Sequence, residues 1–127
     1  MGLFSAFKSK DKVEFPWIEL TTSEQLRSAI ENSSLKPIIL FKHSTRCSIS
    51  SMAKSRFENN WNTENKNVSI FYLDLIAYRN LSNEIAEITG VEHQSPQAIV
   101  LKNKEVIYQA THSDIDAKSI NEILTAV

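Results

Sequence analysis

Apolar residues recur along the chain in two alternating patterns: short continuous runs typical of buried strands, and helical spacings typical of amphipathic helices. The predicted order is strand, helix, strand, helix, strand, helix over residues 17–20, 22–32, 38–41, 47–61, 68–75 and 80–89. A capping box of Thr22 and Gln25 begins the first helix. Gly90, suited to a left-handed helix end, stops the third.

The C-terminal part of the sequence predicts two more strands and a last helix. Strands at residues 97–101 and 105–110 flank the turn Lys102-Asn103-Lys104, a spacing typical of a hairpin. The last helix begins at Ser113 or Asp114 and runs to about residue 126. Short connections and right-handed crossovers then give a parallel core sheet with helices on both faces, to which the hairpin adds antiparallel strands. The predicted fold class is α/β with a mixed sheet.

Length and charge limit what the chain can do as a whole. With 127 residues, 42% of them apolar, it is expected to form one domain over residues 13–127. Residues 1–12 show neither a signal-peptide pattern nor a membrane span, and we expect a flexible leader there, with Leu3, Phe4 and Phe7 allowing weak membrane-surface contact at most. A formal charge of −1 argues against electrostatic attraction to nucleic acid or anionic lipid.

The one cysteine, Cys47, lies at a strand-to-helix junction within the sequence FKHSTRCSIS. A single free cysteine is usually a small buried apolar residue. Here, however, polar neighbours (Thr45, Arg46 and Ser48) suit an exposed turn, and a helix start stabilises a thiolate through its unpaired N–H groups and its dipole. A thiolate is both a nucleophile and a good leaving group, as thiol–disulfide exchange requires.

No second thiol can complete a dithiol mechanism. The position three residues after Cys47 is Ser50, and the chain has no other cysteine. A mixed disulfide on Cys47 can therefore be resolved only by a thiol from outside the protein. The absence of an intramolecular disulfide fits a reducing compartment, and we expect the cytoplasm.

The neighbours of the cysteine have open roles. His43 could support the thiolate as a cation or carry a proton, but a polar histidine in a turn is more often solvated, and we favour that interpretation. Arg46 could orient an acidic small thiol, or it is a solvated turn arginine. Thr45 and Ser50 could hydrogen-bond the sulfur, although helix capping is the default for such residues.

Ser95-Pro96, directly before a predicted strand, is the second informative position. A proline that opens a strand can simply mark a sheet edge. An X–Pro bond can also be cis, and a cis turn beside the cysteine would present backbone groups that pair with an extended substrate. The sequence thus predicts a substrate-binding turn next to Cys47.

Other kinds of site find no support in the sequence. His43, His93 and His112 lack the spacing of metal ligands, and one cysteine does not make a structural zinc site. No Gly-rich phosphate loop, GxSxG elbow or basic-aromatic array occurs. We therefore expect no metal and no bound cofactor.

The motif FKHSTRCSIS, together with SPQAIV at residues 95–100, resembles the YtxJ-type redox proteins of the bacillithiol system, the monothiol bacilliredoxins. From about Phe15 onward, the order βαβαββα with a cysteine at a helix start resembles the thioredoxin fold. The resemblance implies a monothiol thiol–disulfide oxidoreductase with Cys47 as nucleophile, Pro96 as the cis-proline, and bacillithiol, a low-molecular-weight thiol bearing a malate group, as co-substrate. One departure is Ser48, because the family usually has proline directly after its cysteine.

The expected partners are S-thiolated client proteins and the small thiol, with the chain acting as a monomer, without nucleic acid and without stable membrane insertion. Two alternatives stay open. The chain could be a thioredoxin-fold binding or adaptor module with an inert cysteine. It could also be a peroxide sensor that stops at sulfenic acid or at a mixed disulfide.

Overall fold

The computed structural model describes residues 15–62 and 64–126, which form a five-stranded mixed sheet with helices on both faces. The predicted leader, residues 1–12, lies outside the described residues, so its separation from one domain of residues 13–127 stays a prediction. None of the helices described is both long enough and apolar enough to cross a membrane.

The predicted alternation of strands and helices is confirmed. The strands are β1 (Trp17–Glu19), β2 (Ile38–His43), β3 (Ser69–Asp74), β4 (Gln97–Lys102) and β5 (Glu105–Thr111). The helices are α1 (Ser23–Asn32), α2 (Ser48–Asn60), α3 (Arg79–Thr89) and α4 (Ala117–Ala126), with a short 3-10 helix at His112–Asp114. From β2 to α4 the order is βαβαββα, and β1 and α1 precede it.

The sheet has the strand order β1-β3-β2-β4-β5, which makes β2 its central strand. β2 runs parallel to β3 and antiparallel to β4, and β5 pairs antiparallel with β4. Because Lys42 near the end of β2 pairs with Gln97 at the start of β4, the junction after β2 and the turn before β4 lie at the same end of the sheet. The topology thus brings the two predicted site regions together.

Two apolar clusters cover the two faces of the sheet, because alternate residues of a strand point to opposite sides. Ile38 and Leu40 of β2 pack on the face covered by α1 and α3. Ile39 and Phe41 pack on the other face, against Phe57 of α2 and residues of α4. All six residues of β2 are buried, as expected for the central strand of a sheet covered on both sides.

Local signals set several boundaries as predicted. The Thr22 side chain accepts a hydrogen bond from the Gln25 N–H at 3.1 Å, although the Gln25 side chain accepts from Thr21 N and not from the cap itself. Gly90 has φ 73° and ends α3 in the left-handed region. In the hairpin, Asn103 and Lys104 both have positive φ (54° and 66°), as a tight two-residue turn requires.

The predicted start of the last helix at Ser113 or Asp114 is wrong. These two residues belong to the 3-10 helix, and α4 begins at Ala117. The carboxylate of Asp116 accepts hydrogen bonds from Lys118 N (3.2 Å) and Ser119 Oγ (2.7 Å), so Asp116 caps the helix.

Candidate active site

Cys47 lies directly between β2 and α2, as the sequence predicts. It is the N-cap residue of α2, with φ −112° and ψ 120°, and its side chain makes no capping hydrogen bond. Its carbonyl accepts the first helical hydrogen bond, from Ser51 N at 3.0 Å, and its own N–H donates to Ser44 O at 3.2 Å. The residue is partly exposed. As the N-cap residue it lies beside the N–H groups of the first helical turn, which lack intrahelical acceptors.

The turn before the cysteine is shorter than the sequence suggests. The apolar run ends at Phe41, but β2 continues through Lys42 and His43, which pair with Leu73 and Asp74 of β3. Both residues are buried. The interpretation of His43 as a solvated turn residue is therefore wrong, because pairing with the neighbouring strand extends β2 past the end of its apolar run.

Ser50 holds the turn against the end of β2. Its hydroxyl oxygen lies 2.7 Å from His43 Nδ1 and accepts a hydrogen bond from Ser44 N at 3.1 Å. Ser44 in turn holds the N–H of Cys47 through its carbonyl. Capping by Ser50 is therefore a wrong prediction, because its hydroxyl binds the preceding turn and not a helix N–H. Thr45 is not the N-cap residue either, because that position is Cys47, two residues later.

The environment of His43 favours its neutral form. Burial lowers the pKa of His43, and the nearby Lys54 cation lowers it further, against the opposing effects of Asp74 and Glu58. Its ring lies 5.6 Å from the ring of Tyr72, centroid to centroid. A neutral imidazole bound to Ser50 braces the turn and does not supply the cation that a thiolate would pair with.

The residues next to Cys47 in the sequence are exposed. Arg46 precedes Cys47 and Ser48 follows it as the first residue of α2, and both are exposed. Ser48 keeps a backbone N–H that the family's proline would lack. Ile49 and Met52 have the helical spacing of the apolar residues in this segment, but they are 60% and 65% exposed, because the buried stripe of α2 runs through Ser50, Ala53 and Phe57.

A polar and aromatic cluster fixes α2 on the sheet in the two helical turns after Ser50. Glu58 accepts a hydrogen bond from Trp17 Nε1 at 2.6 Å and pairs with Lys54 at 2.9 Å. The Lys54 ammonium lies 5.3 Å and 5.2 Å from the ring centroids of Trp17 and Tyr72. Burial acts to raise the pKa of Glu58, but the hydrogen bonds from Trp17 and Lys54 outweigh it and hold that pKa below its ordinary value.

The peptide bond between Ser95 and Pro96 is cis. Pro96 is buried, and its carbonyl accepts a hydrogen bond from His112 N at 3.0 Å. Arg56 of α2 donates to the carbonyl of His112 at 3.4 Å, which links the turn to the helix that begins at Cys47. The turn and the cysteine therefore lie at one end of the sheet, and the role of Ser95 and Pro96 in binding substrate stays a prediction.

The sequence does not predict one buried residue near this turn, the lysine Lys42. Lys42 is fully buried on the α3 side of the sheet, where its ammonium donates to Ser82 O at 3.2 Å and lies 3.3 Å from His93 Nδ1. Burial lowers the pKa of Lys42 to about 8. Burial also lowers the pKa of His93, with Lys42 and Arg79 adding to the effect. The length of the neighbouring strands is the signal that could have predicted this position. If β2 is assumed to be as long as β3 and β4, it includes Lys42.

Comparisons with known proteins agree with this architecture. The family model described as Monothiol bacilliredoxin BrxC matches residues 18–120. A solved structure described as a candidate oxidoreductase with a thioredoxin fold has 31% identity and a TM-score of 0.73, covering 84% of this chain and 92% of its own.

Two thioredoxins show the likeness of fold alone. Thioredoxin NaTrxh from Nicotiana alata has a TM-score of 0.69 at 14% identity, covering 91% of this chain and 95% of its own. A mutant thioredoxin from Halobacterium salinarum NRC-1 has a TM-score of 0.64 at 11% identity, with the same coverage of 91% and 95%. The predicted thioredoxin-like fold is confirmed.

Proposed function

The chain belongs to the monothiol bacilliredoxin family, and on this premise we propose that it removes a low-molecular-weight thiol from mixed disulfides on client proteins. The family and the fold give it a thiol redox function. The mixed-disulfide substrate, and bacillithiol as the small thiol, are the parts that we propose.

The proposed reaction has two exchange steps. The Cys47 thiolate attacks the small thiol's sulfur in the client's mixed disulfide, a new disulfide forms between Cys47 and the small thiol, and the client sulfur leaves as a thiolate. A second small thiolate then attacks the small thiol's sulfur on Cys47, which leaves as the regenerated thiolate. The products are the reduced client and the disulfide of the small thiol.

The observation that supports this proposal most is the geometry around Cys47. Cys47 is partly exposed at the start of α2, while the position of a resolving cysteine is filled by Ser50, whose buried hydroxyl is bound to His43 and Ser44. The only cysteine of the chain can therefore be attacked from solvent, and the protein offers no group that could release the small thiol itself.

Arg46 supports an acidic co-substrate. It is exposed and adjacent to Cys47, where its guanidinium could pair with the malate carboxylates of bacillithiol. A cycle that consumes a free small thiol and releases a reduced client also needs a reducing compartment, and we propose the cytoplasm as its location.

The experiment that tests this function measures release of a small thiol from a client protein. Reduced protein is mixed with a bacillithiolated client and excess bacillithiol, and client reduction is followed over time. Cys47→Ser should abolish turnover. Ser50→Ala should retain it, because Ser50 braces the turn and takes no part in the exchange. Retained turnover in the Cys47→Ser variant would contradict the proposal.

The alternative of an adaptor with an inert cysteine is tested by the rate of alkylation by iodoacetamide as a function of pH. A cysteine that acts as the nucleophile must be open to the reagent and should be alkylated rapidly. A slow reaction throughout would instead favour the adaptor. A peroxide sensor would oxidise rapidly with peroxide and would release no client.

A further inference from the structure

Lys42 is a buried cation for which the proposed reaction has no use. It lies in the central strand β2, five residues before Cys47, and is fully buried. No carboxylate among residues 15–62 and 64–126 forms an ion pair with it. An ammonium group buried without a carboxylate destabilises the folded state, so its presence needs a reason other than stability.

The contacts of Lys42 join three separate parts of the chain. Its ammonium donates to the carbonyl of Ser82 in α3 at 3.2 Å and lies 3.3 Å from Nδ1 of His93. The Ser82 hydroxyl lies 2.9 Å from the same ring nitrogen. A triangle of polar groups therefore fixes the imidazole of His93 against both β2 and α3.

His93 belongs to the segment of residues 91–94 that leads into the Ser95-Pro96 turn. This segment has no regular secondary structure. Two further side-chain hydrogen bonds hold it, from Gln97 Nε2 to the Glu92 carbonyl at 3.0 Å and from Val91 N to Thr89 Oγ1 at 3.2 Å, and Val91 packs on the apolar cluster. The segment also borders an open groove of about 390 Å³ that β5 and the start of β4 line. Among the described residues, the contact between His93 and Lys42 is the polar contact that ties the segment to the central strand β2.

Two buried polar atoms at the turn have no hydrogen-bond partner in the part of the chain that the structure describes. The hydroxyl oxygen of Ser95 and the side-chain oxygen of Gln97 are buried and have no hydrogen-bond partner among the described residues. Gln97 pairs directly with Lys42 in the sheet. Buried polar groups without partners cost free energy, so the turn needs other contacts to hold it in this position.

We propose that Lys42 is a positioning residue, whose buried ammonium holds His93 and thereby sets the Ser95-Pro96 turn in the position that receives the client protein. The inference rests on the proposed function, because it assigns the turn to client binding. Lys42 acts through the turn and not on the sulfur, so its removal should change client binding while leaving the exchange chemistry at Cys47 intact.

The test compares Lys42→Met with the wild type and with Lys66→Met, an exposed lysine on another loop. For a bacillithiolated client protein, Lys42→Met should raise KM roughly tenfold, the effect of losing one hydrogen-bonded contact, and leave kcat within about twofold. For bacillithiol disulfide, a small substrate that does not need the turn, the rate should be unchanged. The pH profile of Cys47 alkylation should also be unchanged, and Lys66→Met should match the wild type throughout.

A second variant covers the case in which Lys42→Met does not fold. His93→Ala removes the other side of the contact and should raise KM for the client by a similar factor, and the double variant should lose no more than either single one. An unchanged KM in a folded variant would overturn the proposal. So would a loss of rate with the small disulfide, or a shifted alkylation profile, because Lys42 would then act on Cys47.

Hydrogen exchange separates this inference from the proposed function. If the wild type reduces no mixed disulfide, the function fails, but the role of Lys42 in holding the turn can still be measured. Amide exchange in residues 91–95 should become at least roughly tenfold faster in Lys42→Met, with α2 unaffected. Equal exchange in that segment would show that Lys42 does not hold it.

Discussion

Replacing Lys42 with methionine should change how the stability of the protein depends on pH. Burial lowers the pKa of Lys42 from 10.5 to about 8 in the folded state. Between these two pH values the unfolded chain binds more protons than the folded protein, so the free energy of unfolding rises with pH. Below pH 8 both states are protonated, and the cost of burying the charge is fully present. Methionine has a side chain of similar length and no proton, so the variant lacks this pH dependence.

The magnitude follows from the pKa difference. The difference of about 2.5 between 10.5 and about 8, at about 1.4 kcal/mol per pH unit, gives about 3.5 kcal/mol. At pH 7 the variant escapes this cost but loses the hydrogen bonds to Ser82 and His93, worth about 1 kcal/mol each. We therefore expect Lys42→Met to be about 1.5 kcal/mol more stable than the wild type at pH 7. The wild type should overtake it as the pH approaches 10.5.

Urea unfolding, followed by the fluorescence of Trp17 and Trp61, measures both free energies from pH 7 to 10.5. All variants are made in a Cys47→Ser background, so that the free thiol cannot form disulfides between unfolded chains. Subtracting one stability curve from the other cancels the tyrosines and the remaining lysines. The control Lys66→Met should give a curve parallel to that of the wild type. Parallel curves for Lys42→Met as well would refute the burial of a charged lysine in β2.

Three further predictions concern the turn, the hairpin and the histidines. Ser50→Ala should lower the free energy of unfolding by about 1–3 kcal/mol in urea, because it leaves buried partners unsatisfied, while Ser51→Ala on the exposed side should change it by less than about 0.5 kcal/mol. Lys104→Gly should raise the melting temperature through a gain of roughly 1 kcal/mol, because glycine adopts the positive φ of 66° without strain; an unchanged or lower value would contradict this. Burial lowers the pKa of His43 and His93. The free energy of unfolding is therefore unaffected by these two groups above about pH 6.5, and it falls as the pH drops towards their lowered pKa values. Replacing both histidines with glutamine should flatten the plot of the free energy of unfolding, measured in urea, against pH between about pH 7 and 5.

Boundaries with a local physical cause could be predicted from the sequence. A threonine side chain caps α1 because its oxygen reaches the N–H of Gln25, and Gly90 ends α3 because it has no Cβ to clash at φ 73°. The hairpin turn needs two residues with positive φ, which Asn103 accommodates well. These signals act within a few residues, so they are readable in one sequence.

Features that depend on distant pairing could not be predicted. The apolar run of β2 ends at Phe41, but the strand is as long as its neighbour β3, which draws Lys42 and His43 into the sheet. The same limit applies to α2, where Ile49 and Met52 fit a helical period but face solvent. Helical spacing predicts a buried face only where another element covers it, and Ile49 and Met52 are both exposed.

The candidate site also has features that the sequence predicts and features that it does not. The position of Cys47 at a helix start follows from the strand-to-helix pattern, and the nearness of the Ser95-Pro96 turn follows from the sheet order. The hydrogen bond of Ser50 to His43 and the contact of Lys42 with His93 link residues that are buried only in the folded chain. Neither contact leaves a signal in the spacing of the sequence.

The most direct test of the central claim is the intact mass of the protein after one exchange. Reduced protein is mixed with a stoichiometric amount of a bacillithiolated client, without free bacillithiol, and quenched with acid. If Cys47 attacks the small thiol's sulfur, the protein should gain the mass of one bacillithiol less two hydrogens at Cys47, and the client should appear fully reduced. A covalent complex of the protein with the client as the main product, or no adduct on Cys47, would contradict the proposed mechanism.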